Sequence, residues 1–261
     1  MARFCSLCSG SAGNSAYIGG ASGGILIDAG LSAKAVSAAL DSRGIDIGTI
    51  QAIFVTHEHI DHVRGLRVLA TRHGIPVYAT PGTIEVLAEH GDITADMNVN
   101  PIESEHEIAG MLIRHFPTCH DARESVGYTI DTPDGRRIAI CTDLGHVTDE
   151  VRGAIRGCDL VMIESNHDLR MLQNGQYSYE LKRRILGESG HLSNACCADE
   201  LPELVQNGAT RLVLAHLSHE NNMPQLALAS ARAALQCVGM TENTDFTVTA
   251  AAPGGTDIIR F

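Results

Sequence analysis

The chain has 261 residues, 44% of them apolar, with 19 Lys and Arg against 31 Asp and Glu and a formal net charge of −12. That length and apolar content suit one large globular domain and exclude a disordered chain, while the acidic balance excludes a broad basic face that wraps nucleic acid. No run of about 18 apolar residues is present and residues 1–5 lack the apolar stretch of a signal peptide, so neither a membrane span nor export is expected and the cytoplasm is the expected compartment.

Strands are expected at residues 3–8, 16–18 and 24–28, with a Gly/Ser/Asn turn at 9–15 between the first two. Residues 32–43 read as a helix with Ala35, Val36, Ala39 and Leu40 on one face. An apolar strand at 52–55 runs into Thr56-His57-Glu58-His59-Ile60-Asp61-His62, and a helix follows to about His73, stopped by Gly74 and Pro76. Next come a strand at 77–79 and a helix at 81–90 with proline in its first turn. Strands are expected at 111–116, 125–132 and 136–141, the last two joined by the turn Pro133-Asp134-Gly135. Strands at 160–164 and 211–215 alternate with helices at 178–187, 193–207 and 223–238. Residues 245–249 and 257–260 read as a closing strand pair. With no compositional break, this alternation implies an α/β fold of sheets layered with helices in a single domain over residues 1–261. The eight cysteines are expected to be reduced thiols. Cys5 and Cys8 lie in the first strand and read as small buried apolar residues.

Thirteen histidines are many for this length, and they cluster. In His57-x-His59-x-Asp61-His62 a strand end carries ligand-type side chains within six residues. His57, His59 and Asp61 alternate by two and are expected to point the same way, while His62 turns aside as the helix begins. One such motif cannot complete two metal sites, because each ion takes three or four protein ligands. Further candidates stand at other strand ends: His120, Asp143 and His216.

Asp28, the His57–His62 motif, His120, Asp143 and His216 occur in the order seen in metallo-β-lactamase-fold hydrolases, and the resemblance spans essentially the whole chain. The opening Ser9-Gly-Ser11-x-Gly13-Asn14-Ser15, Glu164-Ser-Asn166-His167-Asp168, Gly190-His191-Leu-Ser193-Asn194 and His216-Leu-Ser-x-Glu220-Asn221-Asn222 resemble the YycJ/WalJ branch of that superfamily. The fold so implied is the αββα four-layer sandwich. The implied activity is a metal-dependent phosphodiesterase, a DNA 5′-to-3′ exonuclease, using two divalent ions per chain. Zinc suits imidazole ligands, and manganese or iron suits a mixed imidazole–carboxylate set.

By the same resemblance His57, His59 and His120 hold one ion, Asp61, His62 and His216 hold the other, and Asp143 bridges them. Asp28 braces the motif by hydrogen bonds. Asp143 stands where a lactamase-type cysteine ligand is missing, which favours phosphoester cleavage over lactam or thioester hydrolysis. The implied reaction is attack of a metal-bridging hydroxide on the phosphodiester, with His191 assisting at the phosphate or leaving group. Asp61, His191 and Glu164 are the expected catalytic residues. Ser11, Asn14, Asn166, His167, Ser193 and Asn221 are the expected substrate contacts. Their plainer readings are turn formation for Ser11, Asn14 and Asn221, helix capping for Ser193, and a polar network bracing His191 for Glu164, Asn166 and His167. The expected substrate is a DNA end. A small cyclic phosphodiester or a non-catalytic regulatory role is the alternative. Two cations add about four positive charges at one point of an acidic chain, so recognition is expected to be local and centred on the metals.

Overall fold

The computed structural model describes residues 1–251 and 253–261. Six strands follow one another into a first sheet: β1 (Arg3–Cys8), β2 (Ser15–Gly20), β3 (Gly23–Ile27), β4 (Ile50–Phe54), β5 (Val77–Ala79) and β6 (Val99–Pro101). Seven more form a second: β7 (Glu105–Ile108), β8 (Met111–Pro117), β9 (Val126–Asp131), β10 (Arg137–Cys141), β11 (Leu160–Glu164), β12 (Arg211–Ala215) and β13 (Thr247–Ala250). A last short strand, β14 (Ile259–Arg260), returns to the first sheet beside β1.

Period-two alternation builds the layers. In β3, Ile25 and Ile27 enter the core between the sheets, with Phe54, Tyr128 and Ile130, while Leu26 enters an outer core. That outer core packs under helices α1 (Ala33–Asp41), α2 (Ile60–Val63), α3 (Leu66–His73) and α4 (Pro81–His90) through Val36, Leu40, Val63, Leu66, Leu69 and Leu87. In β11, Leu160 and Met162 face the inter-sheet core, and Val161 and Ile163 face the opposite outer core. The helices on that side are α5 (Asp149–Ile155), α6 (Leu169–Asn174), α7 (Tyr179–Ile185), α8 (Asn194–Gln206) and α9 (Pro224–Cys237). Their packing residues include Val151, Leu201, Leu204 and Leu235. The result is the four-layer αββα sandwich of the metallo-β-lactamase fold. Among the described residues no helix is long and apolar enough to cross a membrane. Cys5 and Cys8 are buried, and burial raises their thiols to about 11 and about 12, so both stay protonated.

Two expectations need correction. The strands near residues 245–249 and 257–260 do not pair with each other. β13 lies parallel to β12, whereas β14 runs antiparallel to β1 in the other sheet, with Arg3 opposite Arg260. The crossing is anchored by Ser6 N–H donating to Thr256 Oγ1 (3.0 Å) and Thr256 N–H donating to the Ser6 carbonyl (2.9 Å), and it covers an otherwise open sheet edge. The helix after the histidine motif is broken in two at Gly65, whose N–H donates to the Ala29 carbonyl (2.8 Å) and whose bare Cα lies against Leu31 and Ala33. β6, β7, α5 and α6 carry no strong apolar period. Edge strand β7 alternates only exposed with half-buried residues.

The segment after β3 is stitched to both neighbouring loops. Asn14 N–H donates to the Asp61 carbonyl (2.7 Å), Gly30 N–H to the Asn14 carbonyl (2.8 Å) and Ala29 N–H to the His62 carbonyl (2.8 Å). A Cβ on Gly30 would collide with the Asp61 carbonyl and sit 2.5 Å from the Asn14 nitrogen. Gly30→Ala therefore overpacks this junction and is expected to cost about 1–3 kcal/mol, read as a lowered urea midpoint at unchanged slope; an unaltered midpoint would show that the junction yields.

Candidate metal centre

The candidate ligands emerge at one end of the sandwich. Asp28 follows β3, the His57–His62 motif follows β4, His120 follows β8, Asp143 follows β10, Glu164 ends β11 and His216 follows β12. Strand carboxyl ends are where open α/β sheets leave a crevice for ligands. Asp28, Asp143 and His216 have φ of 63°, 59° and 54°. Side-chain-bearing residues seldom adopt this left-handed conformation, and it collects at functional sites.

Two clusters of donor atoms result. In the first, His57 Nε2 and His120 Nε2 lie 3.1 Å and 3.3 Å from His59 Nδ1. In the second, Asp61, His62 and His216 offer ligand atoms within 4.8 Å of one another. Asp143 lies between: Oδ2 is 3.3 Å from His62 Nε2, and Oδ1 is 3.7 Å from His120 Nε2. The expected shared direction of His57, His59 and Asp61 holds only for the two histidines. Helix α2 starts at Ile60, so Asp61 is already turned towards the second cluster with His62.

The outward side of these rings is occupied. His62 Nδ1–H donates to Asp28 Oδ2 (2.8 Å), and His120 Nδ1–H donates to the Gly190 carbonyl (3.1 Å). His57 Nδ1 meets Thr56 Oγ1 at 3.0 Å, and that hydroxyl donates to Asp28 Oδ2 (2.8 Å). Carbonyls and carboxylates only accept, so each ring donates through Nδ1 and turns Nε2 to its cluster, where giving up any proton exposes a lone pair to a cation. Asp143 Oδ2 and His216 Nε2 are buried without a hydrogen-bond partner among the described residues. Such atoms are costly unless something completes them. Imidazole nitrogens and carboxylate oxygens converging in this way fit divalent metal ions.

The charge balance agrees. Burial alone would depress His62, but Asp143 and Asp28 lift it to about 10. Against the same burial, Asp143 and Glu164 hold His216 well above its ordinary value. Burial would raise Asp143 and Glu164, yet the surrounding histidines pull Asp143 well below the usual carboxylate range and Glu164 to about 2. His57, buried and facing other imidazoles, is held well below its ordinary value. The carboxylates thus create a strong demand for positive charge in the second cluster, while burial favours the neutral rings of His57 and His59 in the first.

Beside the clusters lies a cavity of about 240 Å³, which His191, Ser11 and Asn166 line. His191 Nδ1 and His216 Nδ1 both contact Glu164 Oε1 at 2.8 Å. Glu164 Oε2 accepts from Leu144 N–H (2.6 Å) and Leu192 N–H (3.2 Å). Glu164 is fully buried, so it braces two histidines and does not open to the cavity. Asn166 also bonds the His216 carbonyl (2.9 Å).

The other expected substrate contacts lie behind this surface. Asn14 accepts from Gly10 N–H (2.9 Å) and donates to Asp61 Oδ2 (3.2 Å). The Ser193 hydroxyl caps α8 by accepting from Cys196 N–H (3.1 Å). His167 and Asn221 are buried, and neither borders the cavity. Burial lowers His167 to about 4, so its ring is neutral. Asp121 also lines the cavity, as do Tyr177, Leu181 and Arg184. No local motif marks them; the one hint is the basic run Lys182-Arg183-Arg184 in an acidic chain.

Residues 24–217 match the beta-lactamase superfamily domain. The chain is 37% identical over 237 residues to exodeoxyribonuclease YycJ of Bacillus anthracis, spanning 90% of this chain and 89% of that protein. It is 33% identical over 229 residues to exodeoxyribonuclease WalJ of Streptococcus pneumoniae serotype 2, spanning 86% and 85%. The metallo-beta-lactamase fold protein YhfI of Bacillus subtilis shares the fold, with a TM-score of 0.73 at 17% identity over 99% of this chain and 98% of that one. Domain match, full-length relatives and layered architecture agree, and the chain belongs to the metallo-β-lactamase superfamily, in the branch that holds YycJ and WalJ.

Proposed function

We propose that the chain is a binuclear metal-dependent phosphodiesterase that shortens DNA from a 5′ end. The observation that carries this reading is the continuity of the donor clusters with the cavity. Asp143 lies between the clusters, and His191 Nδ1, 3.8 Å from Asp143 Oδ1, belongs to a ring on the cavity wall. The resemblance to two exodeoxyribonucleases over most of the chain supports DNA as the polymer.

In this reading His57, His59 and His120 would hold one cation and Asp61, His62 and His216 the other, with Asp143 placed to serve both. Zinc and manganese suit this donor set, and iron is compatible with it. A pair of divalent cations supplies a nucleophilic water at neutral pH and a charged seat for phosphoryl oxygens.

The chain's own groups do the rest. Among the carboxylates of the donor set, Asp61 is 19% exposed where Asp143 is 3% and Glu164 fully buried, so Asp61 is the one of these able to accept a hydrogen bond from an attacking water. His191 donates its Nε2–H to the phosphate or to the leaving oxygen. Burial works against a charged His191 ring, but Glu164 outweighs it and the net shift is upward, which keeps the donor protonated nearer neutral pH. Glu164 is thus a positioning residue. The free state of all eight cysteines suits the reducing cytoplasm.

Purified protein supplied with Mn²⁺ or Zn²⁺ is expected to degrade 5′-phosphorylated single-stranded DNA and to hydrolyse bis-p-nitrophenyl phosphate, and His59→Ala to abolish both. Retention of both activities by that variant would sink the assignment. Asp28→Asn keeps the shape but loses the charge behind His62, so metal affinity is expected to fall about 10–100-fold, measured by competition with a chromogenic chelator on protein whose far-UV circular dichroism is unchanged. Equal affinity in variant and parent would remove Asp28 from the site.

A further inference from the structure

The basic run Lys182-Arg183-Arg184 lies on α7, and Arg184 reaches the cavity beside His191. Together with the loop before it, α7 forms a wall facing Ser11, Asn166 and His191, and the wall itself offers Tyr177, Leu181 and Arg184.

This wall is built. Lys182 Nζ donates to the carbonyls of Gln173 (3.0 Å) and Gly175 (2.7 Å), tying the loop to the helix. Gly175 packs so closely that a Cβ there would stand 2.6 Å from Asn221 Oδ1. Arg184 Nε donates to Asp121 Oδ2, and Asp121 Oδ1 lies 3.3 Å from His120 Nε2. The guanidinium is therefore oriented by a residue adjoining the first cluster. Its terminal nitrogens have no protein partner among the described residues, and its side chain is 58% exposed.

We infer that this wall is a subsite for one unpaired nucleotide next to the phosphate being cut, with the Arg184 terminal nitrogens on a phosphate and the Tyr177 ring stacked on a base. This rests on the phosphodiesterase reading and sharpens its substrate. A guanidinium held through Nε keeps its terminal donors for paired phosphate oxygens. An aromatic ring stacks any base without reading its sequence. The cavity, about 240 Å³, falls below the roughly 300–1,000 Å³ of typical small-molecule pockets, a size that suits part of one nucleotide rather than a base pair. In a chain of net charge −12, a single aimed arginine gives a phosphate contact that bulk charge does not.

The test uses the metal-loaded full chain and a 5′-phosphorylated phosphorothioate single strand, which resists cleavage while keeping its charge. Binding is followed by fluorescence anisotropy for the parent, Arg184→Gln, Tyr177→Ala and Arg183→Gln, with melting temperatures checked. Arg183→Gln removes the same charge from the same helix, but Arg183 does not line the cavity. Arg184→Gln and Tyr177→Ala are expected to weaken binding about tenfold. Arg184→Gln should also flatten the plot of log affinity against log salt by about 0.7, and Arg183→Gln should do neither. On cleavable substrates, the ratio of kcat/KM for the oligonucleotide to that for bis-p-nitrophenyl phosphate is expected to fall about tenfold in the first two variants. Undiminished binding in those variants, or an equal loss in Arg183→Gln, overturns the subsite. Parent protein that binds the strand through Arg184 and Tyr177 yet never cleaves a phosphodiester overturns the nuclease reading and leaves the subsite standing.

Discussion

A single buried carboxylate orients the histidine clusters. Asp28 accepts from His62 Nδ1 directly, from the Thr56 backbone N–H, and from the Thr56 hydroxyl that in turn meets His57 Nδ1. One side chain thus fixes the outward face of a ring in each cluster, so both present their second nitrogen inward. The demand on Asp28 explains its backbone. It leaves β3 in the left-handed region, a conformation that costs free energy unless its surroundings over-determine it. The hydrogen bonds from Ala29 and Gly30 to the His62 and Asn14 carbonyls supply that determination.

The same logic recurs across the site. His216 leaves β12 at positive φ, its N–H donating to Ser9 Oγ (2.7 Å), and Asp143 leaves β10 at positive φ within reach of both clusters. The sheets deliver strand ends to one place, and the left-handed residues turn side chains inward. Glu164 closes the arrangement by tying His216 to His191 through one oxygen. A carboxylate buried without such partners would be expensive; here the neighbouring rings and two backbone N–H groups occupy both of its oxygens.

What could be read from the chain alone follows from the range of each signal. Residues 3–8, 77–79, 160–164 and 211–215 are short apolar runs closed by turn residues, and each is a strand with those limits. The helix at 81–90 begins with Pro81 and ends against Gly91 in the left-handed conformation, a signal carried by two residues. The histidine motif is equally local. By contrast, β14 pairs across almost the whole chain, and no feature of residues 257–260 names its partner. Ser193, Asn14 and Asn221 belong to types that cap, brace or bind with equal ease, and only their neighbours decide. Tyr177 and Arg184 carry no motif. They matter because α7 and the loop before it set them in one cavity with Ser11 and Asp121, from distant parts of the chain.

The path of the chain through the site has a consequence for synthesis. The ligand-type residues are spread from His57 to His216, and the first sheet gains its outer partner only when Ile259 and Arg260 reach Phe4 and Arg3. Contacts of such long sequence separation form late and slowly. A nascent chain that has exposed the histidine motif holds Asp28, a few imidazoles and an open strand edge, without Asp143, Glu164 and His216. Whatever chemistry the assembled centre performs is withheld from the growing polypeptide until the second sheet has closed over the first, so folding itself acts as the enzyme's safety catch.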